Sequence, residues 1–201
     1  MKTSFKPRQV TLLGLLTAVL LVFAFTPLGY LNIGPLAITF NMIPVAIAAI
    51  ALGPTGGAVT GAVFGMTSFL QCLGIGGSSL MGVMLFEINP FFAFIQRFVP
   101  RLLAGWLVGW IFKLSRKLGA GKFAAYIAGF CAAFLNTALF MVALVGLFGN
   151  TEYLQGLMGG MNVILFICTF VGVNAVFEMI VSTVLVGMLG NTLEKARLIG
   201  R

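Results

Sequence analysis

The chain has 201 residues, of which 60% are hydrophobic and only 8% charged, and its mean hydropathy is +1.12. A soluble domain cannot hide that much apolar surface, so the sequence reads as an integral membrane protein with one polytopic domain covering residues 1 to 201. Its net charge of +8 would suit a nucleic-acid groove only if Lys and Arg clustered beside exposed aromatics. Here they lie between apolar segments, which excludes nucleic acid as a partner and makes them signals of membrane topology.

The apolar runs are interrupted by Gly and Pro and do not alternate with polar residues, a pattern of helices and not of an outer-membrane barrel. The first run, near 9 to 26, follows the basic stretch MKTSFKPRQV. With no small-residue cleavage site before Pro27, it is expected to stay as a first helix and not to leave as a signal peptide. Further runs fall near 37 to 52, 57 to 73, 90 to 113, 123 to 148 and 161 to 193, predicting an all-α protein with about six membrane helices. GPTGG at 53 to 57 reads as a tight turn and KLSRKLGAGK at 113 to 122 as a basic loop.

Lys2, Lys6 and Arg8 precede the first helix, Lys113, Arg116, Lys117 and Lys122 follow the fourth, and Lys195, Arg197 and Arg201 follow the sixth. The loops near 26 to 37, 73 to 89 and 149 to 160 carry neither Lys nor Arg, so both termini are expected in the cytoplasm. Topology leaves Arg97 and Arg101 unexplained. If the fourth helix enters from outside near Pro90, a rise of ~1.5 Å per residue puts Arg97 roughly 10 Å deep and Arg101 near the midplane. An Arg at the centre of a span costs about 2.5–3.5 kcal/mol even on lenient insertion scales, so each should face protein, water or a ligand.

Asp is absent, and of the four Glu residues only Glu178 lies deep, roughly 25 Å along the last helix. Depth therefore pairs Glu178 with Arg101 as a structural ion pair and leaves Arg97 without a protein anion, which suggests an anionic ligand. Helix-end carbonyls, Glu87 or a lipid phosphate are the competing partners for Arg97. Asn41, Gln71 and Asn162 are expected in the outer half beside Arg97, with Asn136 as the floor of one cavity, because amides in lipid need partners. Taken singly, each of these amides reads more readily as a bond between helices.

The sequence also limits the chemistry. It has no His, no Asp and no deep pair of acids, so hydrolytic constellations and proton relays lack their residues and neither catalysis nor a cofactor is expected. Cys72, Cys131 and Cys168 lie far apart inside apolar runs and read as small core residues, not as metal ligands. GAGKF at 119 to 123 lacks the first Gly and the Ser or Thr of a phosphate loop. An uptake protein built this way either equilibrates its solute, as a facilitator or channel, or borrows an ATPase. A membrane enzyme or assembly factor is the third class.

The run FNMIPVAIAAIALGPTGGAVTGAVFGMTSFLQ at 40 to 71 resembles the second and third helices of the substrate-binding S components of energy-coupling factor (ECF) vitamin transporters. The similarity continues through FVPRLLAGWLVGWIFK at 98 to 113, through Asn136 and Thr137, and through NAVFEMIVS at 174 to 182. The Arg of the fourth helix and the Asn-Thr of the fifth are most similar to the pantothenate-type branch, although Phe177 stands where that pattern more often has Pro. Riboflavin and folate binders share the scaffold. The resemblance implies capture of a vitamin from outside and association with a membrane coupling subunit and two cytoplasmic ATPases. It also implies docking through small residues on the first helix, here Thr11, Gly14 and Ala18, with Gly14 in the place of an Ala.

Overall fold

The computed structural model describes residues 7–26, 29–32, 37–76 and 79–196. In chain order these form α1 (Pro7–Phe25), β1 (Tyr30–Asn32), β2 (Ala37–Thr39), α2 (Met42–Leu70) with a short 3-10 turn at Gln71–Leu73, α3 (Leu80–Ile88), α4 (Pro90–Lys117), α5 (Phe123–Phe148), α6 (Glu152–Met158) and α7 (Val163–Lys195). Lys2, Lys6, Arg197 and Arg201 lie outside the described residues. Among the described residues, and by length and composition alone, α1, Met42–Leu73, α4, α5 and the later part of α7 are each long and apolar enough to cross a membrane, which makes five, or up to six if α6 with Val163–Gly172, bent by 77°, counts as one span.

α2 is not one rod. Gly53 has φ +75° and ψ −168°, a conformation that residues with a Cβ rarely adopt, and Pro54, which lacks an N–H, opens the next helical stretch. A Cβ built on Gly57 would lie 2.7 Å from the Ala49 Cβ, whereas a straight helix would hold residues eight apart about 12 Å away. The chain therefore folds back at the GPTGG turn into two arms, the second and third helices read from the sequence. Lys113 approaches this turn, its Nζ 3.4 Å from a Cβ built on Gly53, so the turn shares an end of the bundle with the basic residues. That is the end that the positive-inside rule leads one to expect in the cytoplasm. At the same end Arg116 Nη1 meets Glu194 Oε1 at 2.6 Å, an exposed pair that contributes at most about 1 kcal/mol.

The second arm carries Gly57, Gly61 and Gly65 on one face. Methyl groups there would collide with the carbonyls of Gly105 and Arg101 and lie 2.8 Å from the Phe98 Cα, respectively. The partner numbers fall as the glycine numbers rise, so α4 runs antiparallel to this arm with backbones touching, and its rotation is locked. Gly61→Ala is therefore expected to cost about 1–3 kcal/mol of stability, the usual cost of overpacking. Gly14, with nothing within 4 Å of a built Cβ, should accept Ala without loss. Thermal melts in detergent compare the two, and an unchanged Gly61→Ala melt would show that α4 can step away.

The sequence placed a helix start at 37, but Ala37–Thr39 instead pairs antiparallel with Tyr30–Asn32, and α2 begins only at Met42. Its first arm, Met42 to Leu52, is about 16 Å long at ~1.5 Å per residue, half a bilayer. The hairpin consequently reaches down toward the middle of the bundle. Non-helical backbone at that depth survives only where it is buried in protein or lines a cavity. Two segments expected as outer loops contain the short helices α3 and α6, capped by Ser79 and Thr151. One apolar core forms around α2 with α1, α4 and α5. A second joins α3 and α6 to the C-terminal half of α5 and the N-terminal half of α7.

Candidate functional site

Arg97 and Arg101 are one turn apart on α4 and both are buried, 7% and 6% exposed. Both guanidinium groups lie over the Phe140 ring of α5, at 5.4 and 4.6 Å, and Arg101 is also 5.6 Å from the Phe64 ring of α2. Aromatic faces offer a desolvated cation part of what water would supply. Arg101 Nη1 donates to the Gln96 carbonyl at 3.1 Å.

Arg97 reaches the start of α3. Its Nη2 donates to Ser79 Oγ at 3.2 Å, and that same oxygen accepts from Gly82 N at 3.3 Å as the cap of α3. A Cβ on Gly82 would lie 3.0 Å from Arg97 Nη2 and 2.8 Å from Cys72 Sγ, so glycine lets the first turn of α3 rest on the guanidinium. The N-terminal end of a helix carries partial positive charge. Two positive sources are thus held side by side, and Arg97 Nε is buried with no hydrogen-bond partner among the described residues. Among those residues no carboxylate lies within ion-pair distance of Arg97. The arrangement favours an anion.

Glu178 accepts a hydrogen bond from Thr39 N at 2.6 Å, tying the β1–β2 hairpin to α7 roughly 22 Å along that helix from Val163. Asn41 is fully buried; its Nδ2 donates to Thr39 Oγ1 at 3.2 Å, while Oδ1 has no partner among the described residues. Asn136, one turn from Phe140 on α5, likewise has a buried Oδ1 without a partner there. Asn41 thus belongs to the Thr39–Glu178 corner and Asn136 to the Phe140 face that carries the arginines.

Gln71 and Asn162 have other work. Gln71 Nε2 donates to the Ala24 carbonyl at 2.9 Å, joining α2 to α1. Asn162 is exposed and its Oδ1 accepts from Leu165 N at 2.8 Å as the cap of α7. Ser79, Gly82, Phe140 and Gln96 were not singled out in the sequence. Of these, Ser79 had a readable signal, a Ser directly before an apolar run.

Outside the arginines a cleft of about 450 Å³ opens between α3 and α6, lined by Met84, Glu87, Ile88, Thr151, Glu152 and Tyr153.

The chain is similar in sequence to known proteins. It is 30% identical over 195 residues to the pantothenate transporter PanT of Leuconostoc mesenteroides subsp. mesenteroides, covering 94% of this chain and 93% of that protein. It is 28% identical over 207 residues to the pantothenic acid transporter PanT of Lactococcus lactis subsp. cremoris, covering 96% of each. The sequence profile described as "ECF transporter, substrate-specific component" matches residues 8–190. That match covers most of the chain and reaches into each of its long helices, and the chain belongs to the family of ECF transporter substrate-specific components.

Proposed function

We propose that the chain captures pantothenate from outside and delivers it into an ATP-driven uptake complex with a membrane coupling subunit and two cytoplasmic ATPases. As a member of its family it is a multi-pass transport protein of the plasma membrane and not an enzyme. The observation that carries the substrate reading is Arg97 beneath the N-terminus of α3, a buried cation faced by a hydroxyl, a ring and a helix dipole. A carboxylate completes such a site, and the names of both relatives supply a vitamin that has one. The test is titration of pantothenate, its alcohol analogue, riboflavin and folate against the purified protein. Pantothenate alone is expected to bind tightly, and preference for either ring-bearing vitamin would overturn the reading.

In this reading Asn136 and Asn41 offer acceptors to the polar body of the substrate, Gln71 and Asn162 hold helices in place, and Arg101 with Glu178 is a structural pair. Glu178→Gln keeps an acceptor for Thr39 N but removes the charge that acts with Arg101. It is expected to lower the melting temperature by several degrees while pantothenate affinity stays within about threefold, under 1 kcal/mol. A stable variant that no longer binds would place Glu178 in the substrate site instead.

A further inference from the structure

The side chain of Gln96 is the most enclosed polar group of α4. It is 0% exposed, and neither Oε1 nor Nε2 has a hydrogen-bond partner among the described residues. A buried amide left in this condition is costly, and a Met or Leu of similar volume would avoid the cost at once. Such groups are rare in folded proteins and usually answer to something other than stability. Two other buried groups are in the same condition: the Nε of Arg97, the next residue of α4, and the Oδ1 of Asn136, one turn along α5 from Phe140.

We propose that Gln96 is a second recognition residue, which binds the secondary amide or a hydroxyl of the substrate while Arg97 holds its carboxylate. A primary amide presents two donor hydrogens and an acceptor oxygen, so it matches a group that both donates and accepts. A carboxylate, which only accepts, would satisfy one half of it. The inference rests on the pantothenate reading, since pantothenate joins a carboxylate to an amide and two hydroxyls in one flexible chain. It makes the unliganded protein less stable than it could be for the sake of discrimination.

The experiment measures two quantities on Gln96→Met and Gln96→Asn: the melting temperature in detergent without ligand, and the Kd for pantothenate. Gln96→Met is expected to melt higher than the parent by roughly 2 °C or more and to bind at least about tenfold more weakly, the worth of one to two hydrogen bonds. Gln96→Asn keeps the amide but withdraws it by one methylene, and should weaken binding without the gain in melting temperature. A Gln96→Met protein that melts lower would show the amide to be structural, and unchanged affinity would remove it from the site; either result overturns the proposal. If the parent ignores pantothenate, the pantothenate reading fails. The proposal then falls with it, whereas tight binding by the parent with unchanged affinity in Gln96→Met overturns the proposal alone.

Discussion

Replacing Arg97 by Ala is expected to weaken pantothenate binding by roughly 1.5–3 kcal/mol, about 10- to 150-fold, the range of a hydrogen bond to a charged group. The fold should survive. Arg97 has no carboxylate partner among the described residues, so its removal strands no buried anion and costs one hydroxyl bond and one ring contact. Arg97→Lys is expected to weaken binding too, because an ammonium is a point charge and cannot grip a carboxylate through two parallel bonds. The alcohol analogue separates a carboxylate contact from a general loss of shape. It should bind the parent poorly and lose little more in Arg97→Ala. Titrations of acid and alcohol against the three proteins give the answer, and equal affinity of the parent for both ligands would remove the carboxylate from Arg97.

What could be read in the sequence was what depends on composition along the chain. Runs such as 90 to 113 announce spans because lipid requires apolar length, and GPTGG announces a reversal because Gly53 and Pro54 forbid a continuous helix. The start at 37 was misread because LAITF is apolar, and hydropathy alone cannot separate a short buried strand from the first turn of a helix. Arg97 and Arg101 stood out as charges in an apolar helix. What could not be read was which neighbour each polar group would meet. Gln71 and Gln96 are the same residue type in similar apolar surroundings, yet one meets the Ala24 carbonyl, 47 residues away in sequence, and the other has no partner for its amide among the described residues. That difference depends on how the helices pack, and for α4 the glycine stripe of the second α2 arm fixes a close backbone contact that the sequence does not announce. The same holds for Glu178, whose hydrogen bond comes from Thr39, in a strand that the sequence had assigned to the start of a helix.

The double substitution Gly14→Leu with Ala18→Leu is expected to reduce ATP-driven uptake to background while leaving pantothenate binding by the isolated protein intact. α1 buries Leu16, Leu20 and Ala24 against its own bundle. At 100° per residue, Thr11, Gly14 and Ala18 point nearly the opposite way, and all three are exposed. The Thr11 hydroxyl donates back to the Pro7 carbonyl at 3.1 Å, so this face presents no unsatisfied polar group to lipid. Lipid is as apolar as Leu and gives no reason to prefer small side chains there; close approach of another helix does. Since nothing lies within 4 Å of a Cβ built on Gly14, a larger side chain meets only what comes from outside the chain. Two leucines would hold a partner helix away from the backbone and remove the van der Waals contact that drives association in a bilayer, and a loss of only 1.4 kcal/mol already means about tenfold weaker docking. Uptake into vesicles containing the complete complex, measured beside ligand binding to the purified protein, separates docking from capture. Normal uptake by the double variant would move the coupling face elsewhere, and joint loss of binding and uptake would make these positions part of the fold instead.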